Sequence, residues 1–202
     1  MESLVLAMVS KPSVSANARD LLGSHLVGHG VTIRVTEVEA YGGSDDPASH
    51  AFRRTPRSAI MFGPTGRLYV YRIHGHHCAN VVTGPTDQGA AVLIRAGEVI
   101  EGIDVARERR SSRRTDGREI PTSALARGPG NLCRAAGITM ADLDTDLANP
   151  TSVHLSVGDA PTAVSVGPRV GVRHAADVPW RFWVTDDPTV SAYRRHAHAA
   201  AD

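Results

Sequence analysis

A strand pattern near the start of the chain, followed by a carboxylate, constrains the fold more than any other feature. The apolar residues Val31, Ile33 and Val35 alternate with polar residues over 31–36, which is the period of a half-buried strand. Glu39 has the same odd parity. If the strand continues without distortion, its carboxylate points to the apolar face, where an unpaired charge is costly. We therefore expect Glu39 to be paired or to have a function.

Arg95 shows the same anomaly in a second predicted strand, 90–96, where Ala91 and Leu93 share its face. A buried acid and a buried base that pair with each other would resolve both problems. Two interpretations of this pair remain open. It is either an ion pair that fixes strand register, or a carboxylate held at the floor of a cleft to orient a water molecule.

The other patterns predict short strands that outnumber the helices. Helices are predicted over 13–22, with Ser13 as cap and Gly23 as stop, over a stretch with apolar positions 99, 103 and 106, and over 131–136. Strands are predicted over 31–36, 67–73, 78–83, 90–96, 164–172 and 180–184. A loop is predicted from 42 to about 57, and an exposed loop over 111–127. With short connections, this indicates a mixed α+β fold built on a largely antiparallel sheet. The 202 residues are enough for one domain, predicted over 1–202.

Composition excludes several classes of protein. The first apolar run, 4–9, has six residues, far fewer than the roughly 20 that cross a bilayer, so it predicts a core strand or helix. Cys78 and Cys133 are distant in sequence, which argues against a disulfide framework or a cysteine zinc site and fits a reducing cytoplasm. No membrane partner is expected.

The basic residues are almost all arginine. Of 22 Lys and Arg residues only Lys11 is a lysine, and the net charge is +1. Two groups stand out, one within 107–118 and the other formed by Arg53, Arg54 and Arg57. Arginine suits bidentate phosphate binding, but a run of charges is also typical of a solvated face. Both interpretations remain open.

Aromatic and histidine residues concentrate around one predicted hairpin. Tyr69 and Tyr71 share a strand face, and with Tyr41 they could form a slot for a flat ring. Four histidines, His50, His74, His76 and His77, raise the alternative of a metal site. No familiar ligand spacing accompanies them, so no metal is predicted.

Several ordered motifs resemble the alkyladenine (3-methyladenine) DNA glycosylase family. The segment VTEVEAYGGSDDPASH (35–50) resembles the one that carries that family's catalytic glutamate. The resemblance begins at 18–23 and continues through TPRSAIMFGPTGRLYVY (55–71), CAN (78–80), VLIRAGEVIEG (92–102) and GPGNLC (128–133), with weaker matches at 168–172 and 180–184. It implies one compact domain around a curved antiparallel sheet, no cofactor, and binding of double-stranded DNA with the damaged purine flipped out.

The resemblance also implies roles for individual residues. Glu39 matches the general base, and Arg95 matches the arginine that supports the water site. Tyr41, His50 and Tyr71 match residues that enclose the flipped base, and Asn80 matches the asparagine that discriminates against guanine. The positions that match residues contacting the DNA backbone are Thr55, Arg57, Gly130 and Asn131. The implied activity is hydrolytic release of alkylated or deaminated purines by a monomeric repair enzyme of the cytoplasm, associated with the nucleoid in a prokaryote.

The chain departs from the family at the hairpin. His74 stands where the family usually has the tyrosine that fills the gap left by the flipped base, and Asn131 replaces a basic residue. These departures support one alternative, a DNA-binding protein that has lost efficient catalysis. A second alternative is a metal-dependent hydrolase that uses the four histidines.

Overall fold

The computed structural model describes residues 4–112 and 118–199. The helices are α1 (Leu4–Val9), α2 (Val14–Leu21), α3 (Ile103–Ser111) and α4 (Pro129–Ala136). The strands are β1 (His25–Gly28), β2 (Val31–Tyr41), β3 (Leu68–Ile73), β4 (His76–Thr83), β5 (Ala90–Glu101), β6 (Val153–Ser156), β7 (Val164–Gly167) and β8 (Arg181–Val184). Four single-turn 3-10 helices cover His50–Phe52, Ala59–Phe62, Thr122–Ala124 and Met140–Asp142.

The eight strands form one curled sheet in the order β3-β4-β5-β2-β1-β6, with β8 pairing with both β2 and β7. All of these pairings are antiparallel. The mixed α+β fold around a curved antiparallel sheet is therefore confirmed. The extent of the domain, 1–202, stays a prediction. Among the described residues, no helix is long and apolar enough to cross a bilayer.

The main hydrophobic core lies between one face of the sheet and the helices. It combines Leu21 of α2, Leu132 of α4 and the inward side chains of the central strands. The cap predicted for α2 is present, since the Oγ of Ser13 accepts a hydrogen bond from the backbone N–H of Ala16. Gly23 follows with φ +84°, and a Cβ there would lie 2.0 Å from the carbonyl oxygen of Asp159. Only glycine fits this position.

Several predicted element boundaries need correction, beginning with strand β2, which runs to Tyr41 rather than ending at 36. Strand β5 continues to Glu101, so Val99 lies in a strand and helix α3 starts only after Gly102. Strand β7 ends at Gly167 rather than at 172. The segment 111–127 is not simply an exposed loop, because Ile120, Leu125 and Ala126 are buried, although 113–117 lie outside the described residues. The short strands β1 and β6 were not predicted, since four residues carry too little alternation.

Candidate active site

A β-bulge in β2 decides where Glu39 points. Pairing of β2 with β5 skips Thr36, between Val35 and Glu37, and then skips Arg95 of β5, so Thr36 is the extra residue on β2. Before the bulge the odd residues of β2 enter the main core, whereas after it Val38 and Ala40 do so. The prediction that Glu39 shares the face of Val35 is therefore wrong. The bulge turns Glu39 to the opposite face of the sheet, because one inserted residue inverts the alternation of a strand.

The Glu39 carboxylate is fully buried and held by three groups. Its Oε2 accepts a hydrogen bond from the Tyr41 hydroxyl at 2.8 Å, and its Oε1 accepts one from the backbone N–H of Val170 at 2.6 Å. The Nη1 atom of Arg95 lies 3.4 Å from Oε1. Each carboxylate oxygen can accept about two hydrogen bonds. The contacts to described residues therefore leave acceptor capacity for a water molecule.

Arg95 is the buried base that the sequence places opposite this acid, but it has a second carboxylate partner. Its Nε donates to Glu37 Oε1 at 3.0 Å, a shorter contact than the one to Glu39. Burial opposes the charge of Arg95, but Glu39 and Glu37 together raise its pKa, so the guanidinium stays protonated. Sequence reasoning missed Glu37, although its parity with Glu39 was the available signal. The bulge puts both carboxylates on the cavity face of β2.

An aromatic cavity opens beside Glu39 on this face. Its walls are Tyr41, Ala48, His50, Met61, Tyr69, Tyr71, Asn80 and Ala91. The rings of His50 and Tyr71 meet edge to face with centroids 4.7 Å apart, and Tyr69 lies 5.6 Å from Tyr71. Such offset contacts are the favoured geometry for aromatic rings. The structure thus brings Tyr41, His50 and Tyr71 into one site, together with Tyr69, which the strand pattern had also suggested for a slot that holds a flat ring.

The protonation states of this cavity follow from burial and neighbouring charge. Burial, and then the Glu39 carboxylate, raise the pKa of Tyr41 well above its ordinary value, so its hydroxyl keeps the proton that it donates to Glu39. Burial, followed by the positive charge of Arg57, lowers the pKa of His50. The imidazole is therefore neutral near pH 7, with its Nδ1 atom 2.9 Å from the Tyr69 hydroxyl oxygen. A neutral cavity suits an electron-poor or cationic ring.

A buried ion pair that sequence reasoning missed packs against the ring of Tyr41. The guanidinium of Arg169 bonds both carboxylate oxygens of Asp46, at 2.6 and 3.0 Å, and donates to the Ala40 carbonyl. Its carbon lies 4.9 Å from the centroid of the Tyr41 ring and 5.3 Å from that of Trp180. Because Asp46 and Arg169 are 123 residues apart, no local pattern relates them.

Asn80 and the 55–57 loop border the cavity. The Nδ2 of Asn80 donates to the Tyr69 carbonyl at 3.0 Å, which holds the amide against the cavity wall. The hydroxyl of Ser58 accepts a hydrogen bond from the backbone N–H of Thr55, so Thr55 begins a tight turn. Arg57 is exposed, and its guanidinium carbon lies 5.1 Å from the Tyr71 ring centroid. Arg57 is thus a cationic group next to the aromatic cavity.

The β3–β4 hairpin brings His74 close to the start of α4. His74 and Gly75 form its two-residue turn with φ +46° and +79°, values that suit a type I′ turn. A shallow groove next to the turn is lined by Ile73, His74, His76, Cys78, Gly128, Pro129, Gly130 and Asn131. A Cβ at Gly130 would lie 2.9 Å from the Cβ of His76, so glycine lets the helix approach the hairpin. Asn131 donates to the Arg127 carbonyl at 2.7 Å.

The described histidines do not gather into a metal site, and Arg107 and Arg109 bind the chain's own carbonyl groups. His50 lines the aromatic cavity, whereas His74 occupies the exposed hairpin turn. Within residues 4–112 and 118–199, no group of three or more His, Cys, Asp or Glu side chains could hold a metal ion. Arg107 binds the Ile120 carbonyl, and Arg109 binds the carbonyls of His29 and Ala135. Both arginines therefore fasten the chain to itself.

A buried carboxylate beside an aromatic cavity indicates the class of protein that holds a flat ring next to an acid–base group. Comparison with known proteins identifies the family. The sequence profile of methylpurine-DNA glycosylase (MPG) matches residues 8–188. The chain therefore belongs to the methylpurine-DNA glycosylase family, as its motifs indicated.

Bacterial relatives agree with this assignment. A protein of Mycobacterium tuberculosis (strain ATCC 25618 / H37Rv) is 52% identical over 194 residues, which cover 92% of each chain. A protein of Mycobacterium leprae (strain Br4923) is 51% identical over 202 residues, which cover 96% of this chain and 90% of the relative. A protein of Mycolicibacterium paratuberculosis (strain ATCC BAA-968 / K-10) is 53% identical over 192 residues, 91% of this chain and 90% of the relative. All three carry the provisional name 3-methyladenine DNA glycosylase.

Proposed function

We propose that this protein releases alkylated purines such as 3-methyladenine from DNA, with Glu39 as the general base. Membership of the methylpurine-DNA glycosylase family makes it a DNA repair glycosylase that hydrolyses the N-glycosidic bond. The observation that carries the residue assignment is the hydrogen bond from Tyr41 to Glu39 at 2.8 Å. It joins a wall of the aromatic cavity directly to a buried carboxylate. A ring bound in the cavity thus has an acid–base group beside it.

The base must leave the duplex before this cavity can accept it, at a cost of a few kcal/mol. Tyr41, His50 and Tyr71 would enclose the extruded purine, and their π-faces attract the positive charge of an alkylated ring. Asn80 would exclude guanine through contact with its exocyclic amine. His74, at the hairpin turn, would occupy the gap in the base stack. Thr55, Arg57, Gly130 and Asn131 would contact the backbone of the DNA.

Bond cleavage proceeds through a sugar with oxocarbenium character, as in glycoside hydrolysis. The electron pair of the glycosidic bond departs with the base, and an alkylated purine becomes neutral as it leaves. Glu39 accepts a proton from the water whose oxygen bonds to the sugar carbon. Neutral deaminated bases such as hypoxanthine need protonation as well, so their release should be slower. Lys11, the sole lysine, pairs with Asp20 and offers no amine for a Schiff base at this site.

A base-release assay with Glu39→Gln tests this proposal. Gln is nearly isosteric but cannot accept the proton, and loss of a general base costs roughly 10²–10⁴-fold in rate. The matched control is Glu98→Gln on the adjacent strand, at a side chain that is 46% exposed. We expect the control to release methylated purines normally, and Glu39→Gln to bind the same DNA without releasing them. Near-normal release by Glu39→Gln would refute the assignment, and no release by the wild-type protein would favour a silent DNA-binding homologue.

A base-release assay in the presence of a metal chelator distinguishes this mechanism from that of a metal-dependent hydrolase. Because the proposed chemistry uses a carboxylate rather than a metal-bound hydroxide, base release should be unchanged in EDTA. Loss of activity in EDTA that zinc restores would move the catalytic centre to the histidines.

We also propose that the enzyme acts as a monomer on duplex DNA, in the cytoplasm. One chain contributes the carboxylate, the cavity and the hairpin. Sedimentation of the protein with a lesion-containing duplex tests this stoichiometry.

A further inference from the structure

Glu37, two residues before the proposed catalytic base, is the centre of a buried charge network. Its Oε1 accepts hydrogen bonds from Arg95 Nε at 3.0 Å and from Arg181 Nε at 2.7 Å. With Glu39 the network contains two carboxylates and two guanidiniums, so its formal charges balance. Glu37 and Glu39 are fully buried, and the arginine side chains are at most 10% exposed. Such a network is stable only while its groups remain hydrogen-bonded.

Ser191, near the end of the described chain, completes this network. Its backbone N–H donates to Glu37 Oε2 at 2.7 Å, and its hydroxyl donates to Glu37 Oε1 at 2.9 Å. The same hydroxyl oxygen accepts a hydrogen bond from Arg95 Nη2 at 3.2 Å. The Ser191 carbonyl accepts one from Arg181 Nη2 at 2.7 Å. One serine therefore contacts both arginines and both oxygens of Glu37.

The same segment also contacts the loop that holds Glu39. The carbonyl of Arg194 accepts a hydrogen bond from the backbone N–H of Gly171 at 2.9 Å. Gly171 follows Val170, whose own N–H donates to Glu39 Oε1 at 2.6 Å. At the start of the segment, the Thr189 hydroxyl lies 2.7 Å from that of Thr36, the bulge residue. Residues 189–194, named here the C-terminal segment, thus touch the bulge, the arginine network and the loop that holds Glu39.

Glu37 and Glu39 compete for the guanidinium of Arg95, and the contacts of Ser191 favour Glu37. Arg95 lies between two carboxylates, 3.0 Å from Glu37 and 3.4 Å from Glu39. The Ser191 hydroxyl binds Arg95 and Glu37 together, which favours the arrangement in which the guanidinium stays mainly on Glu37. Glu39 then faces a positive charge that does not occupy its lone pairs. Without the hydroxyl, Arg95 is free to shift and form a close pair with Glu39, which would block the position of the water.

We propose that the C-terminal segment is a positioning element of the active site and that Ser191 is its positioning residue. The segment lies beyond residues 8–188, the part of the chain that matches the family profile. Ser191 does not line the base cavity. It acts through Arg95 and Glu37 on the orientation of Glu39. This inference rests on the proposed function of Glu39.

Ser191→Ala tests the proposal, because it removes the hydroxyl but keeps the backbone N–H on Glu37. The measurements are the single-turnover rate of base release from methylated duplex DNA, the affinity for a duplex with a stable abasic-site analogue, and the melting temperature. We expect the rate to fall about 10-fold, since small misplacements of a catalytic group have effects of this size or more. Affinity should be unchanged, because Ser191 does not line the base cavity. Ser191→Thr keeps a hydroxyl and should restore most of the rate.

The matched control is Ser165→Ala, which removes the hydroxyl that lies 2.9 Å from Thr185 in the β7–β8 hairpin. The control should retain the wild-type rate. Full activity of Ser191→Ala would overturn the proposal, as would a loss of rate that Ser191→Thr does not restore or that Ser165→Ala reproduces. If the wild-type protein releases bases, these results concern Ser191 alone. If it releases none, the proposed function itself fails.

Discussion

The hydroxyl of Tyr41 donates to Oε2 of Glu39 at 2.8 Å, across two residues of the same strand. Because alternate side chains of a strand share a face, the two groups lie side by side once the bulge at Thr36 has turned them toward the cavity. Tyr41 therefore has two functions in one side chain. Its ring forms a wall of the cavity and its hydroxyl orients the carboxylate.

Tyr41→Phe separates these two functions. The variant keeps the aromatic ring but removes the hydrogen bond to Glu39, and a neutral-to-charged bond of this kind contributes about 1.5–3 kcal/mol. We expect the single-turnover rate of base release to fall by about 10-fold or more, with little change in DNA affinity. Tyr41→Leu, which also removes the ring, should weaken capture of the lesion as well. Equal losses of affinity in the two variants would contradict the separation.

The cavity should lose activity in acid when His50 becomes protonated. Burial and Arg57 lower the pKa of His50 from its ordinary value of about 6.5. The imidazole is therefore neutral at pH 7 and gains its proton only at a pH below about 6.5. A cationic imidazole repels a cationic base, so release of 3-methyladenine should fall as the pH drops through this pKa. A pH–rate profile under single-turnover conditions measures this acid limb.

Arg57→Ala should move the same limb to higher pH, since it removes a positive charge that lowers the pKa of His50. His50→Gln, which is neutral throughout, should abolish the limb. The control is Arg53→Ala, an exposed arginine of the same loop, which should leave the profile unchanged. A limb that persists in His50→Gln would assign the titration to another group.

His74 should matter only when a base stack must be broken. It occupies the exposed turn of the β3–β4 hairpin, beyond Tyr71. Since an inserted side chain helps by filling the gap in the stack, His74→Ala should slow release most from stably paired lesions and least from single-stranded DNA. His74→Tyr, with its larger ring, should improve capture of lesions in duplex DNA. Equal losses for His74→Ala on single- and double-stranded substrates would exclude the wedge role.

The Asp46–Arg169 pair should contribute strongly to stability. Both side chains are almost completely buried, so loss of Asp46 leaves the Arg169 guanidinium buried without its carboxylate partner. Asp46→Ala should therefore lower the free energy of unfolding by about 3–5 kcal/mol, measured by chemical denaturation. Asp20→Ala is the control, because Asp20 pairs with Lys11 at the surface, where loss of an ion pair costs about 1 kcal/mol or less. Similar losses in both variants would contradict the role of burial.

The sequence by itself determined the local features of this protein. The alternation of β3 and β4, joined by a two-residue turn, put Tyr69 and Tyr71 on one face, because parity is retained within a short undistorted strand. The Ser13 cap and the helix after it were also predicted from local sequence, because capping depends on residues only three positions apart. The ordered motifs also identified the family and, through it, the reaction.

Only the tertiary structure decided how Glu39 is presented. Parity placed its carboxylate in the main core, and the bulge at Thr36, set by pairing of β2 with β5, turned it to the other face. Its support comes from Val170 and, through Glu37, from Ser191, which is 154 residues away from Glu37. Contacts between residues so far apart form when separate segments pack together. A local pattern of residues does not indicate such contacts, because the sequence of each segment specifies only its own strand or turn.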